Sequence, residues 1–381
     1  MKNGLVMISA NKAWNLYSRK RLLSALQGAG WSVIAMADPD PNAGRIEKDF
    51  GIPFIDLPMK SDGTSLKEDG RLFFRYLSLY RKHRPQVVLH INNKPNIYGS
   101  IAASVLGIPS ISNITGLGVV AEKKGLTRTL VYTLYRLAFR SSKAFVFFQN
   151  GDDRRFFVGN RLVSAGKTGL LPGSGVNVED YLPDPGFRPK EKGQAVTFLF
   201  NGRLLLTKGI GEYLRAAERV KALYPDTVFN ILGEHDPANP LYIPQKVLQE
   251  SVTSGSVRYL GMVADVRPSV GAADCVVLPS YYREGVPRAL LEAAAMGKPL
   301  IVADSVGTRE PVEAGINGFL TVPADTESLV KAMLGFIESG AAEKGQMGIE
   351  SRRIAETRFN DTIIADSYVR KMAEIGVDRE K

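Results

Sequence analysis

The chain has 381 residues but only one cysteine and three histidines, which limits the disulfides and metal sites that it can form. Cys275 cannot form a disulfide within the chain, and its apolar surroundings predict a small core residue rather than a nucleophile. His83, His90 and His235 are too few and too widely spaced for a zinc site.

Long apolar runs are also missing. No stretch reaches the roughly 18 apolar residues of a membrane-spanning helix. The first apolar segment, residues 5–8, is too short for a signal peptide and is soon followed by Asn11 and Lys12, so we expect a cytoplasmic protein. The glycine fingerprint G-x-G-x-x-G and the P-loop are absent as well, which argues against an NAD-dependent dehydrogenase and against a kinase.

Acidic residues are scarce in the first half of the chain. Residues 1–180 contain 25 Lys and Arg but 13 Asp and Glu, whereas residues 181–381 contain 24 and 26. This imbalance predicts that the first half meets something anionic, with a merely solubilising surface as the alternative. No nucleic-acid recognition motif accompanies the charge, so we expect no nucleic-acid partner.

Short apolar runs alternate with helical patterns along the chain. Because the runs are continuous, they predict parallel strands covered on both faces, which is the α/β doubly wound class. Residues 181–194 concentrate proline, glycine and charge and predict an interdomain linker. We expect two tandem Rossmann-like domains facing a central cleft. The predicted divisions are residues 1–180, residues 195–358, and a C-terminal helix within residues 361–381 that crosses back to the first domain.

Two glutamates flank a predicted helix start late in the chain. Glu284 is predicted on a loop, Pro287 in the first helical turn and Glu292 inside the helix. On a continuous helix, eight residues would leave the two carboxylates about 80° apart, so we expect them to reach different parts of one ligand. The amide groups of Gly285 and Val286 are suited to a diphosphate or to sugar hydroxyls. The alternative is an ordinary loop with two solvated glutamates.

A second polar loop follows the predicted strand at residues 196–200. It contains Gly202, Arg203 and Lys208. A guanidinium fork and a flexible ammonium at a strand end are suited to hold a diphosphate as it becomes a leaving group. The alternative is that both cations only increase solubility.

Together, the two loops resemble those of the retaining glycosyltransferases of family 4, which have the GT-B fold. Further segments extend the resemblance, namely residues 147–153, 171–177, 306–310 and 315–320. The resemblance implies that Arg203 and Lys208 contact the donor diphosphate, Glu284 the donor sugar, and Glu292 the ribose hydroxyls. It also implies that the donor site is lined by Gly202, Gly285 and Val286.

Residues 94–99 and 112–118 are similar to a narrower branch of this family. That branch adds sugars, often N-acetylated hexosamines, to polyprenyl-diphosphate-linked acceptors. Many family members carry a histidine at the loop where this chain has Thr115 and Gly116. The resemblance therefore predicts that Thr115 and Gly116 lie at the donor, without the histidine contact.

The acceptor side is predicted to include His90, Lys94 and Asn11, with a core or edge histidine as the alternative for His90. Asp38-Pro-Asp40 has the letters of a D-x-D metal site, but it lies in a proline-rich turn of the first half, away from the donor loops. Because two fixed cations can neutralise a departing diphosphate, we expect neither a metal nor another cofactor.

The helix predicted for residues 126–140 is amphipathic and suggests membrane docking. One arc is predicted to pack on the sheet, formed by Leu126, Leu130, Leu134 and Leu137. The opposite arc is predicted to face lipid headgroups, formed by Arg128, Tyr132, Tyr135, Arg136, Phe139 and Arg140. The alternative is a partly buried helix with solvated arginines.

The resemblance as a whole implies a retaining, metal-independent glycosyltransferase at the inner face of the cell membrane. Its donor is expected to be a UDP-sugar carrying a hexose or an N-acetylhexosamine, and its acceptor a polyprenyl-diphosphate-linked saccharide in the assembly of surface glycans or glycoprotein oligosaccharides. Two alternatives stay open. One is transfer to a phospholipid or a soluble acceptor, and the other is a UDP-N-acetylhexosamine 2-epimerase, for which acid and base groups are poorly supplied.

Overall fold

The computed structural model describes residues 4–59, 65–117 and 125–376, so Gly118, the last residue of segment 112–118, lies outside the described residues. The chain divides into two compact units. Unit 1 combines Met1–Gly175 with Asp361–Lys381, and unit 2 is Val176–Asn360. Within the described residues, no helix has both the length and the apolar character needed to cross a bilayer.

Unit 1 is built on a seven-stranded parallel sheet with the order β3-β2-β1-β4-β5-β6-β7. The inner strands are buried on both faces, as expected for continuous apolar runs in a doubly wound sheet. The strands are β1 Leu5–Lys12, β2 Ser32–Asp38, β3 Phe54–Asp56, β4 Val87–Ile91, β5 Ser110–Ile114, β6 Ala144–Phe148 and β7 Thr168–Leu170.

Helices connect these strands, and side chains cap two of them. The Ser65 hydroxyl accepts a hydrogen bond from the Glu68 amide, and the Asn150 side chain accepts one from the Asp153 amide, so each satisfies a free N–H at a helix start. The helices are α1 Ala13–Tyr17, α2 Lys20–Gly28, α3 Asn42–Phe50, α4 Leu66–His83, a π-helical turn Pro95–Gly99, α5 Ser100–Val105, α6 Gly125–Ala138 and α7 Gly151–Gly159.

Unit 2 repeats the arrangement on a six-stranded parallel sheet with the order β10-β9-β8-β11-β12-β13. Its strands are β8 Thr197–Asn201, β9 Val228–Leu232, β10 Arg258–Tyr259, β11 Cys275–Leu278, β12 Leu300–Ala303 and β13 Gly318–Thr321. Its helices are α8 Ile210–Leu223, α9 Gln245–Thr253, α10 Arg267–Gly271, α11 Arg288–Ala295, α12 Thr326–Glu338 and α13 Ala341–Arg358. The predicted pair of doubly wound domains is confirmed.

The last helix, α14 Asp361–Gly376, belongs to unit 1. Tyr368 and Met372 are buried in the same apolar cluster as Leu23 of α2. The Tyr368 hydroxyl also accepts a hydrogen bond from the Asn113 side chain at 2.7 Å. Helix α14 is therefore fixed to unit 1 by packing and by a buried polar contact.

Residues 181–194 are part of unit 2, so the prediction that they form a linker is wrong. The Gly193 amide donates to the Ile337 carbonyl at 3.1 Å. The buried Lys344 ammonium donates to the Lys190 carbonyl at 3.0 Å. This proline- and glycine-containing segment is therefore an ordered part of unit 2. The boundary between the units falls after Gly175 and not after residue 180.

The predicted orientation of helix α6 is also wrong. Three of the four leucines of the predicted inner arc face outward, with exposed fractions of 89% for Leu126, 41% for Leu130 and 45% for Leu137, and only Leu134 packs against the core. Its aromatic side chains Tyr132 and Tyr135 lie in the core with the nearby Phe139 and Phe157. Aromatic rings bury more apolar area than leucine does, so this orientation of the helix gains more apolar burial.

Candidate functional site

Three loops of unit 2 meet at the carboxyl ends of β8, β11 and β12, which are neighbours in the sheet. The strand order reverses at β8, since β9 and β10 lie on one side of it and β11 to β13 on the other. Open α/β sheets bind their ligands at such a switch point. Of the predicted residues, Lys208 follows β8 and Glu284 follows β11, so they lie on the two sides of this point.

Backbone contacts hold the first two loops together. The Thr207 carbonyl accepts hydrogen bonds from the Tyr281 and Tyr282 amides, each at 3.1 Å. Gly209 has a positive φ of 78°, and a β-carbon built on it would lie 2.3 Å from the Pro279 carbonyl oxygen. Only glycine allows this close approach, which brings the loop of Lys208 against that of Glu284.

Lys208 and Glu284 form an ion pair. The Lys208 ammonium donates to both carboxylate oxygens at 2.5 Å, and Lys208 is only 8% exposed. The Ser280 hydroxyl donates to the Glu284 Oε1 atom at 3.0 Å. Glu284 therefore has three donor contacts in a half-buried setting, where a charged side chain needs such partners.

The third loop, residues 304–310, lies against the second. Gly307 has φ of 91°, and a β-carbon on it would lie 2.3 Å from the carbonyl oxygens of Glu284 and Gly285. The buried Thr308 hydroxyl oxygen lies 3.1 Å from the Ala303 carbonyl oxygen and can donate a hydrogen bond to it. Gly285 and Val286 are themselves buried. Segment 306–310 thus supports the Glu284 loop from one side.

Arg203 is exposed just beyond β8 and lies beside Tyr242 and Glu234. The Tyr242 hydroxyl donates to Glu234 at 3.3 Å. Burial and the Glu234 carboxylate raise the pKa of Tyr242, while the Arg203 guanidinium opposes them. Gly202 donates its amide to the Leu232 carbonyl at 2.9 Å, which ties the start of this loop to the end of β9. These contacts place Arg203 on the β9 side of the switch point.

Glu292 lies inside helix α11, as predicted, and Glu284 on the loop before it. Arg288 donates to Glu292 Oε1 at 3.3 Å. Burial, and then the Glu292 carboxylate, raise the pKa of Tyr181 to about 12. Pro287 is the residue before the first helical turn and not part of it, since the helix begins at Arg288. The two glutamates thus have different partners, in keeping with separate contacts on one ligand.

In unit 1, three predicted residues gather at the ends of β1, β4 and β5. The main-chain N–H of Asn11 donates to the Asn92 side-chain oxygen at 3.4 Å. The Asn92 side-chain nitrogen in turn donates to the Thr115 hydroxyl at 3.2 Å. Gly116 follows with φ of 115°. Sequence reasoning missed Asn92, which links these strand ends and itself has φ of 73°. Its only sequence signal is a polar residue two positions after the predicted end of a strand at His90.

Lys94 lies nearby and is paired. Its ammonium donates to the buried Asp69 at 2.8 Å. Burial, and then Asp69, raise the pKa of Tyr98. A cavity of about 750 Å³ opens beside this pair, lined by both charges; its other charged lining residues are Lys12, Asp38, Glu68, Arg71 and Arg75.

His90 is fully buried in β4. Its ring is hydrogen-bonded to the Tyr80 hydroxyl at 2.7 Å and to the Ser100 hydroxyl at 2.9 Å. Burial lowers the pKa of His90 to about 3. A neutral ring with both nitrogens occupied favours the core-histidine alternative over a contact with an acceptor.

The acidic turn at Asp38 and Asp40 is occupied by local contacts. Asp38 pairs with Lys12, and the Asp40 carboxylate accepts from the amides of Trp14 and Asn42, each at 2.8 Å. Among the described residues, no group of three or more histidine, cysteine or acidic side chains is arranged to hold a metal ion.

Two doubly wound parallel sheets define a fold class that solved structures share with this chain. The glycosyltransferase from Rickettsia africae ESF-5 superposes with a TM-score of 0.79 at 15% identity, covering 100% of both chains. Anabaena Alr3699/HepE in complex with UDP gives 0.77 at 18% identity, covering 98% of this chain and 100% of that one. The chain has the GT-B fold, and this prediction is confirmed.

Family models agree with the fold. The model described as Glycosyl transferase 4-like matches residues 6–150, and the model described as Glycosyl transferases group 1 matches residues 195–339. The chain therefore belongs to these glycosyltransferases, as its loops predict.

Curated relatives share most of their length with it. The N,N'-diacetylbacillosaminyl-diphospho-undecaprenol alpha-1,3-N-acetylgalactosaminyltransferase of Campylobacter jejuni is 25% identical over 73% of this chain and 74% of its own. The UDP-Gal:alpha-D-GlcNAc-diphosphoundecaprenol alpha-1,3-galactosyltransferase of Escherichia coli is 26% identical over 73% of both chains.

Proposed function

We propose that the protein is a retaining glycosyltransferase that moves an N-acetylhexosamine or a hexose from a UDP-sugar to a polyprenyl-diphosphate-linked saccharide. The observation that carries the proposal is the Lys208–Glu284 pair at the switch point of unit 2. The names of the two relatives support both substrates, since each acts on a diphospho-undecaprenol saccharide and one takes its sugar from UDP-Gal. The product would join surface glycan or glycoprotein oligosaccharide assembly.

In this reaction, the bond between the sugar C1 and the diphosphate breaks, and a bond from C1 to the acceptor oxygen forms on the same face. The acceptor hydroxyl gives its proton to the departing diphosphate, so UDP leaves and no other reactant is needed. Lys208 and Arg203 neutralise the charge that develops on that diphosphate. Glu284 accepts hydrogen bonds from the donor sugar and Glu292 from the ribose. Fixed cations in these positions take the role of a metal, so we propose that none is required.

The acceptor is proposed to approach unit 1. The 750 Å³ cavity beside Lys94 lies at strand ends of that sheet and is lined by four basic and three acidic side chains. Lys12 and Lys94 pair with acidic neighbours, which leaves Arg71 and Arg75 as the cations suited to an acceptor diphosphate, while the carboxylates suit saccharide hydroxyls. Asn92 links Asn11 to Thr115 at strand ends of the same sheet. We propose that Asn11 contacts the acceptor and that Thr115 and Gly116 face the donor sugar.

Because the proposed acceptor is linked to a lipid, we propose that the enzyme acts at the inner face of the cell membrane. Supporting this, the exposed side of α6 carries leucines and arginines. A neighbouring groove of about 530 Å³ has four cationic lining residues, Arg136, Arg140, Arg161 and Lys167, and the described residues that line it include no carboxylate. Exposed leucines can insert among the lipids of a bilayer, and the surrounding cationic side chains are attracted to anionic headgroups, so this surface is suited to an anionic bilayer.

The proposed reaction is tested by UDP release. Purified protein is incubated with a panel of UDP-hexoses and UDP-N-acetylhexosamines, with and without short polyprenyl-diphosphate saccharides in detergent, and with EDTA in a parallel series. We expect one donor to give acceptor-dependent release that EDTA leaves unchanged, and an α-linked product by NMR. Conversion of a UDP-N-acetylhexosamine to its epimer without acceptor would instead indicate the epimerase. UDP release only in the presence of a phospholipid or a free sugar would identify that molecule as the acceptor in place of the polyprenyl-linked saccharide.

A further inference from the structure

Ser280 lies directly after β11 and Pro279, is fully buried, and was not among the residues that the sequence singled out. Its hydroxyl reaches two acceptors, the Glu284 carboxylate at 3.0 Å and the Thr207 carbonyl at 3.5 Å. A hydroxyl has one proton to donate. The carboxylate is closer and charged, and the Thr207 carbonyl already accepts two backbone amides, so the proton is directed to Glu284.

We propose that Ser280 is a positioning residue that fixes the Glu284 carboxylate for the donor sugar, an inference that rests on the proposed function. Both oxygens of Glu284 accept from Lys208, and Oε1 also accepts from Ser280. A bound diphosphate competes for the Lys208 ammonium. Ser280 then still holds Oε1, so Oε2 is the oxygen released to accept a sugar hydroxyl, and the carboxylate keeps its orientation while its cation partner turns away.

The surroundings of Ser280 keep its hydroxyl in place. Its own carbonyl lies 3.4 Å from the Thr308 hydroxyl, and the following residue, Tyr281, donates its amide to the Thr207 carbonyl. The main chain of Ser280 is thus anchored to the loops after β8 and β12. A side-chain donor on an anchored backbone orients its acceptor more sharply than a long flexible one, such as lysine.

The first test compares Ser280→Ala with Ser351→Ala. Ser351 is equally buried, and its hydroxyl is hydrogen-bonded to Asn317 within the same unit, but it lies in α13, away from the switch point. We expect Ser280→Ala to lower kcat/KM by about ten- to a hundredfold, the range for losing a charge-assisted hydrogen bond in a reaction. We expect Ser351→Ala to leave kcat/KM within about twofold, because its hydroxyl contacts Asn317 and not the Glu284 loop, although the burial of the lost hydroxyl is the same.

The second test separates positioning from general damage. Calorimetry measures the affinities for UDP and for the donor with the highest turnover, in wild type, Ser280→Ala, Glu284→Ala and the double variant. We expect Ser280→Ala to weaken binding of the UDP-sugar and to leave the affinity for UDP unchanged. In the Glu284→Ala background, we expect Ser280→Ala to have no further effect on either affinity. Equal weakening of UDP, or the same loss in the Glu284→Ala background, would overturn the assignment of Ser280.

The two proposals fail in different ways. If wild type transfers sugar from a UDP donor and Ser280→Ala does so equally well, the role of Ser280 is refuted while the proposed function stands. If wild type neither binds nor uses any UDP-sugar of the panel, both are refuted.

Discussion

The α-carbon of Gly307 packs against the backbone of Glu284, so closely that a β-carbon there would lie 2.3 Å from the Glu284 carbonyl oxygen. Its φ of 91° is also unfavourable for any other residue. The position of the Glu284 loop therefore depends on the absence of a side chain in the neighbouring loop.

Gly307→Ala should displace the Glu284 loop and reduce turnover. We expect a loss of about 2–4 kcal/mol in the free energy of unfolding, from backbone strain together with the clash. Gly315→Ala is the matched control, because Gly315 has φ of 76° but a β-carbon on it would meet no atom within 4 Å. That variant should lose only about 1 kcal/mol, the cost of the backbone conformation. Urea unfolding measures both, and equal losses would contradict a role for the contact.

Breaking the Lys208–Glu284 pair should affect activity far more than breaking a surface pair. We expect Lys208→Gln and Glu284→Gln each to reduce kcat/KM by at least about a hundredfold, since each removes a charge that the proposed function assigns to donor binding. Arg219→Gln, which breaks the exposed pair of Arg219 with Glu327, serves as the control. Its turnover and denaturation midpoint should match wild type. Activity of Glu284→Gln close to wild type would remove Glu284 from the proposed site.

Much of this site could be predicted because strand ends are visible in sequence. Lys208 and Glu284 each follow a continuous apolar run, and parallel strands place their carboxyl ends at one edge of the sheet. Ser280 and Asn92 were missed because their roles depend on contacts across loops. Nothing local distinguishes the buried Ser280 hydroxyl from that of any serine after a strand.

Helix α6 shows a second limit. Its leucines and its aromatic residues form two apolar arcs, and the wheel alone does not say which arc the sheet takes. The choice depends on the neighbours, since Tyr135 packs against Phe157 with ring centroids 5.0 Å apart. His90 is a related case, because its place at the end of an apolar strand suits both a strand-end ligand contact and the buried network that the structure has.

Burial of neutral His90 should make stability fall as the solution is acidified. The pKa of His90 is lowered from 6.5 to about 3 in the folded protein, so between these values the unfolded chain takes up a proton that the folded chain does not. The free energy of unfolding is thus retained above pH 6.5 and lost towards pH 3, by up to about 1.4 kcal/mol per pH unit. Urea titrations of wild type and His90→Gln from pH 7 to 5 measure the slope, which should be shallower in the variant. Parallel slopes would show that His90 titrates normally.

The outward leucines of α6 should be needed for membrane binding. We expect Leu126→Ser with Leu130→Ser to reduce sedimentation with anionic phosphatidylglycerol vesicles by about tenfold, because each loses apolar contact with the bilayer. Leu223→Ser is the control, since Leu223 is 64% exposed but lies at the end of α8 in unit 2. UDP affinity should be unchanged in all variants. Equal vesicle binding by wild type and the double variant would exclude this face as the docking surface.

Glu292 should recognise the ribose and not the transferred sugar. Its partners are Arg288 and Tyr181, whereas Glu284 is bound by Lys208 and Ser280, so the two carboxylates are held separately. Wild type should bind UDP about tenfold more tightly than 2′-deoxy-UDP or 3′-deoxy-UDP, as expected for losing a hydrogen bond to a charged acceptor. Glu292→Ala should abolish that preference while the ratio of UDP-sugar to UDP affinity stays as in wild type. If Glu292→Ala instead alters that ratio and keeps the preference for ribose, Glu292 acts on the sugar.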